Sequence, residues 1–193
     1  GPMKAFVTGG AGFIGSHLVD ALMAQGHGVT VYDNFSTGRP LFIRQHLKHP
    51  RFRLIRGDIL DLKKLPKSGQ GHDAVFHFAA NADVRGGRNN TTIDLEQNII
   101  GTHRVLEAVR KASVPKMVFA SSAVVYGEPD IFPTPETQPL IQTSLYGAAK
   151  LSAEAMVQAY AEYFGLQTWT FRFVSWIGER YTDAYCTHID AQD

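Results

Sequence analysis

A tyrosine and a lysine four residues apart are the side chains of this sequence best suited to moving a proton. Tyr146 and Lys150 are the first and last residues of the stretch Tyr-Gly-Ala-Ala-Lys. This stretch predicts the start of a helix with both side chains on one face. A lysine ammonium favours the ionised form of a nearby phenol, and the tyrosinate could exchange a proton with a substrate hydroxyl. The same spacing also occurs in ordinary surface pairs, so the motif needs supporting observations.

One such observation is a pair of serines at the end of a predicted strand. Ser121 and Ser122 follow the β-rich run 116–120, and ligands of open α/β sheets bind outside the carboxyl ends of the strands. A serine hydroxyl there would hold a substrate oxygen beside the tyrosine, and a turn-capping role is the alternative.

A glycine-rich segment near the N-terminus predicts a phosphate-binding turn. Gly9, Gly12 and Gly15 are spaced G-x-x-G-x-x-G between a predicted strand and a predicted helix. The first glycine lets the chain turn, the second lets backbone N–H groups approach a pyrophosphate, and the third lets helix and strand pack closely. Plain turns also contain glycines, but the strand–turn–helix context favours a dinucleotide site.

Two acidic residues refine that expectation. Asp33 ends the second predicted strand, where its carboxylate would accept hydrogen bonds from the adenosine ribose and repel a 2′-phosphate, which favours NAD over NADP. Arg39 is a counter-argument, because a flexible arginine could bind that phosphate. Asp58, after the third strand, is placed either to accept a hydrogen bond from the adenine amino group or to cap the next helix.

The elements that must position these residues alternate between β-rich and helical segments, which predicts an α/β fold of the Rossmann type, a doubly wound parallel sheet. Strands are predicted at 4–8, 29–32, 53–56, 74–78, 116–120 and 168–173, and helices at 12–25, 95–111 and 146–164. Gly165 is the predicted C-cap of the last helix. The aromatic residues Trp169, Phe171 and Phe173 are expected in the core. Residues 179–193 predict no regular element.

Composition excludes several classes of protein. Lys and Arg total 19 against 18 Asp and Glu, so no net field attracts nucleic acid or an anionic membrane. The single cysteine, Cys186, excludes an internal disulfide framework. No apolar run is long enough for a membrane span and the start has no signal-peptide pattern, so the expected setting is cytoplasmic. The eight histidines lack metal-ligand spacing, and no metal site is predicted.

The expected domain organisation is one domain with a short tail. Gly1-Pro2 before Met3 is expected to be the remnant of a cleaved tag. Residues 3–178 form the predicted NAD-binding domain, and 179–193 form an atypical tail.

Six motifs together resemble the extended short-chain dehydrogenase/reductase family, and within it the nucleotide-sugar 4-epimerases of the UDP-glucose/UDP-galactose type. They are TGGAGFIG at 8–15, YDN at 32–34, GDI at 57–59, HFAA at 77–80, SSAVVYG at 121–127 and YGAAK at 146–150. The resemblance extends from Met3 to about Gly178. It implies a Rossmann-type fold, NAD as cofactor, a UDP-hexose as substrate, and Ser122, Tyr146 and Lys150 as catalytic residues. The NAD-binding residues that it implies are Gly9, Gly12, Phe13, Ile14, Gly15, Asp33, Asn34, Asp58, Ile59, Ala79, Ala80, Asn98, Tyr146 and Lys150.

The resemblance also implies a reaction, epimerisation by transient oxidation of the sugar at C4. Tyr146 would take the proton of the 4-hydroxyl, and reduction from the other face would complete the cycle. Family 4,6-dehydratases carry an Asp-Glu pair after the active-site serine or threonine. Here that place holds Ala123 and Val124, which favours epimerisation or simple oxidation over dehydration.

Departures from the family pattern concern the substrate. Ser175 stands where the family usually has an asparagine, and Glu179 where it has a proline. The family also continues into a substrate-binding lobe beyond the length of this chain, so the lobe is expected to be largely missing and the sugar pocket partial. Two alternatives therefore stay open, a non-catalytic NAD-binding module and a reductase of a smaller carbonyl compound. A homodimer is also expected, in which the apolar faces of the helices 95–111 and 146–164 pair across a two-fold axis as a four-helix bundle, as is common in the family.

Overall fold

The central feature of the computed structural model is a sheet that places several strand ends at one edge. The structure describes residues 1–79, 90–126, 140–142 and 144–173, and the backbone of 186–190. The strands of the described part are β1 (Lys4–Thr8), β2 (Gly28–Asp33), β3 (Phe52–Arg56), β4 (Ala74–His77), β5 (Lys116–Ser122), β6 (Gln167–Phe173) and β7 (Cys186–Asp190). Their order is β3-β2-β1-β4-β5-β6-β7. The first six strands run parallel, and β7 runs antiparallel to β6.

Helices connect the parallel strands. They are α1 (Phe13–Ala24), α2 (Lys64–Gly69), α3 (Thr92–Asp94), α4 (Gly101–Lys111) and α5 (Leu145–Phe164), with a π-helical segment, Leu95–Ile100, joining α3 to α4. Short 3-10 helices lie at Pro40–Phe42, Arg44–His46 and Ala123–Tyr126. No helix within the described ranges is long and apolar enough to cross a membrane.

Both ends of α5 follow from local chemistry. The Ser144 hydroxyl accepts a hydrogen bond of 3.0 Å from the Gly147 N–H, so α5 begins directly after this N-cap. Gly165 adopts the left-handed conformation, with φ of 67°, and ends the helix. The predicted C-cap is therefore confirmed, and Tyr146 lies in the first turn of α5, close to the edge of the sheet.

The sheet is covered on both faces, which explains why its central strands β1 and β4 are almost continuously apolar. On β1, Ala5 and Val7 belong to a buried cluster that includes Val19 of α1, whereas Phe6 between them belongs to a second cluster with Leu106 of α4. The two clusters lie on opposite faces because successive side chains of a strand point in opposite directions. The predicted doubly wound parallel sheet is confirmed.

The strand order reverses between β1 and β4, and this reversal determines where a ligand binds. β2 and β3 extend the sheet on one side of β1, and β4, β5 and β6 extend it on the other. Thr8 at the end of β1 is in register with His77 at the end of β4. In open α/β sheets the crevice at such a reversal is the binding site.

Two expectations about the C-terminal strands are wrong. The buried positions of β6 are Thr168, Thr170 and Arg172, whereas its three aromatic residues are only partly buried. Strand alternation turns the polar set towards α5, where Arg172 pairs with Glu154. Residues 179–193 were expected to contain no regular element, but β7 pairs with residues 169–173 of β6. An edge strand is stabilised by backbone pairing and needs no apolar pattern.

Candidate active site

The glycine turn after β1 has a backbone that other residues would not tolerate. Gly9 has a φ of +70°, and a Cβ atom there would lie 2.5 Å from the backbone nitrogen of Ala79. A Cβ atom on Gly15 would lie 2.2 Å from the carbonyl oxygen of Gly9. Because real Cβ atoms do not come so close to backbone atoms, both positions require glycine. Helix α1 and the segment after β4 both pack closely against this turn.

The N-terminus of α1 is open towards this turn. Gly12 is the N-cap and supplies no side chain to accept hydrogen bonds from the first turn. The N–H groups of Phe13, Ile14 and Gly15 occupy that turn, where N–H groups have no intrahelical acceptor. Together with the helix dipole they form a site for an anion such as a pyrophosphate. The residues present therefore fit a dinucleotide.

Asp33 lies at the rim of the glycine turn. Its side chain is buried, one carboxylate oxygen accepts the N–H of Ala11 at 3.0 Å, and the other accepts the N–H of Phe35 at 2.7 Å. These bonds fix the carboxylate at the carboxyl end of β2, where the ribose of an adenosine is expected. The exposed Arg39 donates its backbone N–H to the carbonyl of Ala11, so this segment folds back over the turn.

The other residues predicted near adenosine are divided between surface and core. Asn34 and Asp58 are exposed and close local turns, each accepting a backbone N–H two residues ahead at 3.0 and 2.9 Å. Ahead of α2, the backbone N–H groups of Lys63 and Lys64 are accepted by the carboxylate of Asp61 and not by Asp58. The capping alternative for Asp58 is therefore wrong. Ile59 is buried, and Ala80 lies outside the described residues.

Tyr146, Ser122 and Lys150 meet where β5 ends and α5 begins. The phenol of Tyr146 is buried beside the side chain of Ser122, whose hydroxyl accepts the N–H of Val124 at 3.2 Å. The neighbouring Ser121 donates instead to the carboxylate of Glu154 at 2.8 Å, which distinguishes the two serines. Lys150 Nζ donates to the carbonyl of Ala120 at 3.1 Å. The structure thus brings the three predicted catalytic residues together.

Burial dominates the electrostatics of this group. It raises the pKa of Tyr146 to about 12, against a smaller lowering by the Ser122 side chain, and the charge of Asp94 raises it further. Burial also lowers the pKa of Lys150 to about 8, against the opposing charges of Glu154 and Asp94. The expectation that the ammonium lowers the pKa of the phenol is not met in the protein alone. Lys150 Nζ lies 5.9 Å from the centre of the Tyr146 ring and bonds to a carbonyl instead.

Asn98 lies in the π-helical segment and is not part of the glycine turn. Its side chain is buried, and its Nδ2 donates to the carboxylate of Asp94 at 3.2 Å. The sequence analysis did not identify Asp94, although a carboxylate four residues before an asparagine in a helix was a usable signal.

The side chains of Thr8, His77 and Thr102 form a hydrogen-bonded chain below the crevice between β1 and β4. The sequence analysis did not predict this chain. Thr8 Oγ1 accepts the N–H groups of Phe78 and Ala79 at 3.1 and 3.2 Å, so its proton goes to His77 Nδ1 at 2.7 Å. The remaining ring proton of His77 is on Nε2, which donates to Thr102 Oγ1 at 3.2 Å. The backbone that packs against Gly9 is thereby tied to β1 and α4.

The His, Cys, Asp and Glu side chains of the described ranges form no group of three that could hold a metal ion.

The fold and the glycine turn define a Rossmann-type dinucleotide-binding domain. A sequence profile of the NAD dependent epimerase/dehydratase family matches residues 5–191. The chain belongs to this family, and the prediction of NAD as its cofactor is confirmed.

Individual relatives differ in the reaction that they catalyse. The chain is 38% identical over 176 residues to the UDP-glucose 4-epimerase of Corynebacterium glutamicum, covering 91% of this chain and 52% of that protein. It is 33% identical to UDP-glucuronic acid decarboxylase 1 of Danio rerio, covering 92% and 42%. A crystal structure of the Thermotoga maritima UDP-glucose 4-epimerase with UDP-glucose has a TM-score of 0.83 and 36% identity, covering 95% of this chain and 60% of that one. The chain thus spans about half the length of these relatives.

Proposed function

We propose that this chain carries the NAD-binding and proton-transfer residues of a nucleotide-sugar 4-epimerase acting on a UDP-hexose of the UDP-glucose/UDP-galactose type. The observation that carries the proposal is the buried Tyr146 phenol, which lies beside Ser122 and Lys150 at the same sheet edge as the glycine turn. Similarity to epimerases that act on UDP-sugars supports this choice of substrate.

NAD, when bound, supplies the two-electron oxidant for a sugar alcohol and a positively charged ring. In the proposal its pyrophosphate lies on the glycines Gly9, Gly12 and Gly15 and on the N-terminus of α1, and Asp33 binds the adenosine ribose. The remaining residues proposed to contact it are Phe13, Ile14, Asn34, Asp58, Ile59, Ala79, Ala80, Tyr146 and Lys150, with Asn98 supporting them. The proposed NAD-binding domain comprises residues 3–178, and β7 of the segment 179–193 extends its sheet.

The protein side chains handle the proton. In the proposed reaction the phenolate oxygen of Tyr146 accepts the proton of the sugar 4-hydroxyl and later returns it. Ser122 orients the sugar oxygen beside the phenol. Lys150, held by the Ala120 carbonyl, places a positive charge near the phenolate, and the buried site excludes water that would screen this charge.

Ala123 and Val124 support epimerisation over dehydration. They form the first residues of the 3-10 helix that follows Ser122. Neither side chain can donate or accept a proton, whereas elimination of water needs an acid and a base near the sugar. The reaction proposed is therefore oxidation at C4 followed by reduction, which classifies the protein as an isomerase.

The test is turnover of UDP-galactose with added NAD. Tyr146→Phe should lower the rate by roughly 10²- to 10⁴-fold, the usual contribution of a general acid–base, while calorimetry still detects NAD binding. Tyr163→Phe, on the exposed end of α5, is the matched control and should retain full activity. NAD binding without turnover by the unchanged protein would favour the non-catalytic module. Oxidation of NADH by a small aldehyde instead would favour the reductase.

We also propose a homodimer in a cytoplasmic setting. The single cysteine supports a reducing compartment. The apolar faces first expected to pair are covered within the chain itself, since Leu106 of α4 and Val157 of α5 are fully buried. The proposed interface is therefore the outward surface of the two helices around Tyr160 and Phe164.

A further inference from the structure

The turn after β3, which carries Asp58, rests on the side chain of Tyr32. The Tyr32 hydroxyl donates to the carbonyl oxygen of Asp58 at 2.7 Å. Gly57 lies directly against the phenol ring, since a Cβ atom there would be 2.4 Å from the ring carbon Cζ. Tyr32 is fully buried and belongs to the same core cluster as Phe6 and Ile59. A ring that is fixed in the core therefore determines the position of this turn.

The same turn lies next to the carboxyl end of β2. The Gly57 N–H donates to the carbonyl of Asp33 at 3.1 Å. Asp33 is in register with Arg56, the last residue of β3. Asp58 thus lies on the strand connection beside the carboxylate proposed to bind the adenosine ribose, on the side where the base attached to that ribose would extend.

The Tyr32 hydroxyl is suited to act as a permanent donor. Burial, followed by the charges of Asp61 and Asp58, raises the pKa of Tyr32 to about 12, so the phenol keeps its proton at neutral pH. The carbonyl of Asp58 also accepts the N–H of Asp61 at 3.0 Å. This carbonyl would keep a partner without the hydroxyl, so removal of the hydroxyl releases the turn but leaves no unpaired acceptor.

We propose that Tyr32 is a positioning residue for recognition of the adenine base, because its hydroxyl holds the turn so that the Asp58 carboxylate faces the exocyclic amino group. The inference deepens the proposed NAD site and rests on it. The Asp58 carboxylate accepts the N–H of Leu60 at 2.9 Å, which orients the side chain. A carboxylate accepts hydrogen bonds from an amino group and repels a base that carries an oxygen there.

The contact made by Lys64 does not replace this support. Lys64 Nζ donates to the carbonyl of Arg56, the residue before the turn, and both side chains are exposed. A long exposed side chain restricts a backbone less than a buried ring does, because it loses more conformational entropy when it is held in place. Tyr32 contacts Gly57 and Asp58 themselves.

The test compares the binding of NAD and of nicotinamide hypoxanthine dinucleotide, in which an oxygen replaces the adenine amino group. Calorimetry without sugar gives both dissociation constants. The natural protein should prefer NAD by roughly tenfold, the effect of one hydrogen bond to a charged acceptor. Tyr32→Phe should lose most of this preference. A natural protein without the preference, or a folded Tyr32→Phe protein that keeps it, would overturn the proposal.

Thr30→Val is the matched control. Thr30 is buried two residues earlier on the same face of β2, and its hydroxyl is hydrogen-bonded to His72 at 2.8 Å. The substitution therefore removes one side-chain hydrogen bond from the same strand without touching the turn, and the preference should remain. A purely structural role of Tyr32 would weaken both dinucleotides equally and leave their ratio unchanged.

A double-mutant cycle tests whether Tyr32 acts through Asp58. Asp58→Ala should abolish the preference, and adding Tyr32→Phe should change the ratio no further. A further change of the ratio in the double variant would refute the route through Asp58.

Gly57→Ala covers the case in which Tyr32→Phe does not fold. It keeps the hydroxyl but places a Cβ atom against the ring, so it should also reduce the preference, and an unchanged ratio would then refute the proposal. A protein that prefers NAD but does not turn over UDP-galactose would count against the proposed function alone. A protein that turns over the sugar without this preference would count against this inference alone.

Discussion

At the scale of single residues, the glycine turn makes the clearest prediction about cofactor binding. Gly15→Ala places a Cβ atom 2.2 Å from the Gly9 carbonyl oxygen, so α1 must move away from β1. We expect NAD affinity to fall roughly tenfold or more, a loss of about 1.4 kcal/mol of binding free energy. Calorimetry measures this affinity.

The matched control is Gly28→Ala at the start of β2. A Cβ atom there would meet no atom closer than 3.7 Å, so the substitution should leave NAD affinity unchanged. Equal affinities for the Gly15→Ala and the natural protein would show that the pyrophosphate does not lie on this turn.

Tyr146 makes a prediction about pH. In the protein alone burial raises the pKa of its phenol to about 12, so the phenol is protonated at neutral pH. A bound positive ring favours the phenolate, so NAD should lower this pKa and shift the basic activity of Tyr146 towards neutral pH. The measurement is the ultraviolet absorbance of tyrosinate against pH, taken as the difference from Tyr146→Phe. A difference titration that NAD leaves at the same pH would contradict the proposed position of the nicotinamide ring.

At the scale of elements, the sequence predicted what local rules determine. The Ser144 cap and the Gly165 terminus of α5 are local, and the predicted helix 146–164 differs from Leu145–Phe164 by one residue. The burial of Arg172 in place of the β6 aromatic residues depends on Glu154 of another element. The pairing of β7 with β6 likewise has no local pattern. Contacts with partners on other elements cannot be predicted from the composition of a single strand.

The hydrogen-bonded chain from β1 through β4 to α4 predicts how stability depends on pH. Burial lowers the pKa of His77 to about 3, below the ordinary value of 6.5. The folded protein therefore binds fewer protons than the unfolded chain between these two values, and stability falls as the pH drops from about 6.5 to 3. Since one pKa unit corresponds to about 1.4 kcal/mol, the total loss is on the order of a few kcal/mol.

Two single histidine substitutions test whether His77 causes this pH dependence of stability. His77→Gln should be less stable at neutral pH and should lose much of the pH dependence between about 6.5 and 3, measured by urea unfolding. His49→Gln, at an exposed position, should retain it. An identical pH slope in the natural and His77→Gln proteins would assign the acid sensitivity to other groups.

At the scale of the whole molecule, the order of motifs along the chain predicted the site better than any one motif did. The glycine turn follows β1, Asp33 and Ser122 end β2 and β5, and Tyr146 lies in the first turn of α5. A parallel sheet brings the carboxyl ends of its strands to one edge. The buried pair of Glu154 and Arg172 was missed, because the two residues lie on different elements and meet only through packing. The sugar pocket could not be predicted from this length of chain, which spans about half of its relatives.

Association in solution is the prediction that belongs to the whole molecule. The outward surface of α4 and α5 is organised around aromatic side chains. The Tyr160 hydroxyl donates to Glu107 at 2.8 Å, the Arg110 guanidinium lies 5.2 Å from the centre of the Phe164 ring, and Tyr163 is 80% exposed. An apolar and aromatic surface with fixed charges is typical of an interface between protein chains.

We expect a dimer at micromolar concentration in sedimentation velocity, and Tyr163→Asp should convert it to a monomer, because the new carboxylate would be buried against a second copy. Leu41→Asp replaces a side chain that is 57% exposed in the 3-10 helix Pro40–Phe42, and it should leave the dimer intact. A monomeric natural protein would contradict the proposed association. A dimer that only Leu41→Asp disrupts would place the interface beside the segment that folds over the glycine turn.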